Sequence, residues 1–97
     1  MRAYLAADRE ALEALRRGDP LTLQPFVPES EDEADEFAAL SAAAENAPVV
    51  VAADIEAEFQ PLTLDQVAAF HVDADGTGDL AWYATQELDQ VLDLLRD

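Results

Sequence analysis

HVDADGTGDLAWYATQE, residues 71–87, decides between two folds. If DADGTGDL is a metal loop, the chain on either side should be helical, as in a helix-loop-helix calcium site. If it is a turn, the flanks should be paired strands. A calcium loop takes oxygen ligands at alternate positions, a glycine at the sixth, an apolar anchor at the eighth and a bidentate acid at the twelfth. Asp73, Asp75, Thr77, Gly78 and Leu80 fit the first three of these requirements, but the twelfth position is Ala84. Glu87 comes three residues too late to replace the missing acid without rebuilding the loop. Asp73, Asp75 and Thr77 are thus a weak candidate for cation binding, and no resident metal or cofactor is expected.

The flanks favour strands. Residues 68–73 (AAFHVD) alternate, with Phe70 and Val72 facing one way and Ala69, His71 and Asp73 the other. Residues 80–85 (LAWYAT) alternate again, with Leu80, Trp82 and Ala84 together. Two alternating runs joined by an aspartate- and glycine-rich segment predict a β-hairpin. Residues 62–67 (LTLDQV) then feed the first of these strands as a short turn. After the second strand, Thr85 is placed to cap a helix in which Leu88, Val91, Leu92 and Leu95 fall at i, i+3, i+4 and i+7. Trp82 is expected in the core beneath that helix.

Upstream, residues 49–53 (VVVAA) are a β-branched and small apolar run, as a strand buried on both faces requires. This is the expected central strand. The chain opens on a shorter strand, residues 2–6 (RAYLA), followed by Asp8 at a helix N-cap position. The helix over residues 9–17 carries Ala11, Leu12 and Leu15 on its apolar side, Arg16 and Arg17 in its last turn, and Gly18 as its left-handed stop. Residues 21–24 (LTLQ) lie among Pro20, Pro25 and Pro28, so they suit an edge strand or extended loop. Ser30-x-x-Glu33 has the form of a capping box, and a second helix is expected from there to Pro48 with Phe37, Leu40, Ala44 and Ala47 as its apolar side. The prediction is one α+β domain over residues 1–97, in the order β-α-(β)-α-β-β-β-α. Its mixed or antiparallel sheet has four or five strands, with two or three helices packed on it.

Composition narrows the partners. The chain carries 22 acids against 5 arginines and no lysine, a formal charge of -17, while 51% of its residues are hydrophobic. That apolar share supports a folded core. The charge disfavours direct contact with a nucleic-acid backbone or an anionic membrane and favours a basic protein partner. Codon bias in a GC-rich genome, salt adaptation and mimicry of nucleic-acid charge would all leave such a surface. The absence of cysteine removes disulfides and thiolate chemistry. The opening MRAYLAADRE has no basic-then-apolar leader, and the longest apolar run, residues 47–53, is far below the roughly 18 residues of a membrane helix, so a cytoplasmic protein is expected.

MRAYLA at residues 1–6, VVVAADI at 49–55, VAAFHVD at 67–73 and LAWYATQEL at 80–88 resemble a family of small actinobacterial proteins of unknown function, whose members open on a MRVYLP-like strand. The resemblance covers most of the chain in patches and is most specific around WYATQEL. Members carry a long insertion between the HVD and WYATQEL strands, where this chain has only DADGTGD. The resemblance therefore implies a shortened member and a turn at that point, and it implies no activity.

The candidate surface site is His71, Asp73 and Tyr83, taken to share one face of the hairpin, with Gln86 and Glu87 beside them at a helix N-terminus. A carboxylate near the single histidine would raise its pKa, and a His-Asp pair is suited to general-base work. Ordinary packing and capping account for the same residues. The chain has no nucleophile elbow, phosphate-binding glycine loop, dinucleotide fingerprint or zinc spacing. A small non-enzymatic interaction or regulatory domain with an acidic surface is the expected function. The alternatives are a ligand-binding or hydrolytic site around His71, Asp73 and Tyr83, and then calcium binding by an EF-hand-like loop.

Overall fold

A computed structural model describes residues 2–56, 61–73 and 80–95. Five strands form one antiparallel sheet in the order β2-β1-β3-β4-β5, accompanied by three helices. The strands are β1 (Arg2–Ala7), β2 (Pro25–Phe26), β3 (Val49–Asp54), β4 (Val67–Val72) and β5 (Ala81–Ala84). The helices are α1 (Arg9–Arg17), α2 (Glu33–Asn46) and α3 (Leu88–Leu94), giving the chain order β-α-β-α-β-β-β-α of an α+β fold.

The apolar run at 49–53 is central, as its composition requires. β3 pairs with β1 on one side and β4 on the other, and Val49 to Ala53 are all buried. Alternation divides the strands between two cores. Leu5, Val49, Val51, Phe70 and Val72 face α1 and α3, where Leu12, Leu15, Leu88, Val91 and Leu92 meet them. Tyr4, Val50, Ala52 and Ala69 face α2, where Ala39 and Ala43 are buried. A register shift between Ala52 and Ala53 pairs Val67 with Ala53, which turns Val67 into the first core with Phe70.

Local signals in α1 act as their chemistry dictates. Asp8 Oδ1 accepts the Ala11 N–H at 2.8 Å, and Gly18 closes the helix at φ 88° with its N–H donating to the Ala14 and Leu15 carbonyls. The last helix buries Leu88, Val91 and Leu92 as its spacing predicts. A 3-10 turn at Thr85–Glu87 precedes it, and the Thr85 hydroxyl there donates to the Val67 carbonyl instead of capping.

Other expectations are corrected. The edge strand is Pro25–Phe26, paired with Leu5 and Tyr4, in place of residues 21–24. Pro25 lacks an N–H, which is tolerable on an outer strand. Leu21 instead forms an isolated bridge with Leu62, and Leu21 and Leu23 pack against the first core. Ser30 lies outside the helix it was expected to cap. α2 begins at Glu33 after Asp32, and the Ser30 hydroxyl accepts the Asp32 N–H at 3.1 Å while donating to the Asp35 carboxylate.

The expected apolar side of α2 holds only in part, since Leu40 and Ala44 pack at the margin of the second core. Ala39 and Ala43 touch the sheet, whereas Phe37 is 68% exposed. Small side chains let the helix sit close to the strands, and Phe37 falls to one side.

Candidate functional site

Residues 73–80 are flanked by strands on both sides. β4 and β5 run antiparallel, with Ala69 opposite Ala84, Phe70 opposite Tyr83, His71 opposite Trp82 and Val72 opposite Ala81. The segment that would enter a helix-loop-helix calcium site is instead a 3-10 turn at Leu64–Gln66 followed by β4. The EF-hand frame is therefore absent. Asp75, Thr77 and the turn itself lie outside the described residues, and among those described no cluster of metal-binding side chains occurs.

The pairing decides which candidates meet. Directly opposed residues of an antiparallel pair share a face, so His71 stands with Trp82. Tyr83, opposite Phe70, turns to the α1 and α3 side and packs against that core. Tyr83 and His71 are consequently on opposite faces of the sheet. Alternation gave the parity of β5 correctly, but Trp82 does not lie beneath α3; it is 61% exposed.

Glu87 has a structural task, since its Oε1 accepts the Ala84 N–H at 2.8 Å. Gln86 is exposed on the same short turn. Neither lines the cavity described next.

That cavity is a groove of about 670 Å³ beside α2. Phe37, Leu40, Ser41, Ala44 and Glu45 form its helical wall. Val50, His71 and Asp73 line it from the sheet, and Leu80, Leu94 and Leu95 line it as well. Among the described residues α2 has its main contacts with β1, β2 and β3, and no second helix packs beside it on this face over β4 and β5. Phe37 and Trp82 are exposed because the layer stops short. Sequence reasoning named two of the groove's residues, His71 and Asp73, and missed its α2 wall, although the closely spaced Ala39 and Ala43 were a signal that alanines, not Phe37, could be the packed stripe.

The electrostatics of the histidine reverse the expectation. His71 is half-buried, and its pKa is lowered from the ordinary 6.5, first by burial and then by the positive charge of Arg2. The imidazole is therefore neutral at pH 7. Its ring lies 6.4 Å from that of Tyr4, tilted by 58°. Burial also raises the Tyr4 pKa, with Glu36 adding to the effect and Arg2 opposing it. A neutral imidazole and a carboxylate line the same groove as the apolar wall, so the surface can present both apolar anchorage and polar recognition. No family model, curated protein or solved structure matches the chain, leaving the groove's own chemistry to guide the functional reading.

Proposed function

We propose that this protein is a small interaction module that performs no chemistry of its own and holds a positively charged protein partner against an acidic surface. The observation that carries the reading is the apolar groove beside α2, which the exposed Phe37 and Leu94 line and whose His71 stands opposite the exposed Trp82. Large apolar side chains gathered at a surface mark interaction sites. Glu45 on the helical wall and Asp73 at the sheet add negative charge locally, and the whole chain at -17 would accelerate approach of a basic partner. The proposal includes a cytoplasmic setting.

Affinity capture from the native host, with the wild-type protein and a Phe37→Ala/Trp82→Ala double variant as baits, tests the reading. A basic protein should be enriched by the wild type, lost in high salt and depleted with the double variant. Retention of the same proteins by both baits would count against this surface.

The second reading is a small-molecule site using His71 and Asp73. It is favoured by their presence in one groove with a histidine kept neutral by burial. Thermal-shift screening of wild type against His71→Ala distinguishes it, because a ligand of that site should stabilise only the wild type.

We also propose that the chain is a short member of the actinobacterial family it resembles. In support, its four motif stretches coincide with β1, β3, β4 and β5, which lie side by side in the sheet.

A further inference from the structure

Building on the interaction reading, we infer that the partner element is an amphipathic helix with a basic outer face, lying beside α2 over β4 and β5. Five strands at roughly 4.8 Å spacing make a sheet about 19 Å wide, and packed helices lie about 8–10 Å apart, so such a face accommodates two helices abreast. The opposite face has two, α1 and α3, packed against each other. Among the described residues the α2 face has one, with its main contacts to β1, β2 and β3. The vacant width thus matches one more helix.

The residues around that space have the appropriate character. Phe37, Leu40 and Ala44 present an apolar wall along α2, and Val50 contributes an apolar surface at the sheet. Trp82, opposite His71, extends the same sheet face outward. From Phe37 to Glu45 the helical wall runs about 12 Å at 1.5 Å per residue, enough for just over two turns of a neighbour. An incoming helix would bury its apolar stripe against this wall, the mode in which amphipathic helices enter grooves.

Charge determines the occupant's outer face. Another copy of the chain would bring -17 against -17, whereas a helix bearing arginine or lysine would be attracted to Glu45 and Asp73. An extended segment paired to the free edge of β5 would leave Phe37 and the α2 wall uncovered.

The test uses the intact chain and two tryptophan-free peptides of about 14 residues, four helical turns. One is an arginine-leucine sequence with leucines at i, i+4, i+7 and i+11; the other is its scrambled isomer of equal charge. Trp82 is the only tryptophan, so its emission reports on the site. The amphipathic peptide should gain helical circular dichroism, shift Trp82 emission to the blue and bind at least about tenfold tighter than the isomer, with Phe37→Ala weakening it about fivefold or more. Equal binding of both peptides with equal loss in salt would overturn the helix inference and leave the acidic-surface reading standing. Gain of β signal, or a concentration-dependent dimer that buries Trp82 and excludes the peptide, would also overturn it. Binding of neither peptide would count against both readings.

Discussion

His71 illustrates how a residue can be located by sequence while its chemistry depends on packing. Its place on the Ala69 face of β4 was legible from alternation, and β4 carries it there. The direction of its pKa shift was not legible, because it depends on burial beside α2 and on Arg2, 69 positions away in the chain. A histidine whose folded pKa is depressed binds fewer protons than the unfolded chain as pH falls below 6.5. Its contribution to stability is therefore present above about pH 6.5 and is lost as pH falls through the lower folded value. NMR titration should give a His71 midpoint below 6.5, and His71→Gln should lose less stability than wild type between pH 7 and the folded midpoint. A midpoint above 6.5 would mean that a carboxylate, rather than burial, dominates the site. At Gly18 the sequence was sufficient: φ is 88° and an added Cβ would meet nothing within 4 Å. Gly18→Ala should therefore cost about 1 kcal/mol through backbone strain alone, measurable by urea unfolding.

At the scale of elements, periodicity revealed which residues share a face but not always what that face meets. β5 had the correct parity, yet hydrophobicity suggested Trp82 as the inward residue, whereas pairing with Phe70 turns Tyr83 toward the core. In α2 the same bias toward the largest apolar side chain selected Phe37, while close approach to the sheet is made through Ala39 and Ala43. The hairpin, the central strand and both flanking helices of the first core were readable because each has several concordant signals. Of the groove only His71 and Asp73 were named, because its α2 wall depends on how that helix is rotated over the sheet. These assignments predict an inverted size effect. Phe37→Ala and Trp82→Ala should each change unfolding free energy by no more than about 0.5 kcal/mol, as exposed positions do. Ala43→Leu, enlarging a side chain with 0% exposure between helix and sheet, should cost about 1–3 kcal/mol. Urea unfolding followed by circular dichroism compares all three without relying on Trp82 emission.

For the whole molecule, the decisive imbalance is between a well-buried interior and a surface of one sign. Among the described residues, Arg2, Arg9, Arg16 and Arg17 contact Asp54, Glu13, Asp89 and Asp19 respectively, with arginine side chains 41–62% exposed. Exposed pairs of this kind contribute only about 0–1 kcal/mol each. They cannot offset mutual repulsion among 22 acids over a body whose extents are 35 × 31 × 20 Å. Repulsion across these distances is felt when the screening length is comparable with the molecule and fades when it is much shorter. That length falls from about 30 Å at 0.01 M salt to about 10 Å at 0.1 M and about 3 Å at 1 M. The melting temperature should consequently rise with sodium chloride, steeply up to about 0.1 M and then more gradually as screening becomes short-ranged. Potassium chloride at matched ionic strength should give the same curve, since screening does not distinguish the cations. A flat profile would show that the acids are spaced without net repulsion. A rise confined to the highest concentrations would point to exclusion of salt from the surface, not screening, as the stabilising effect.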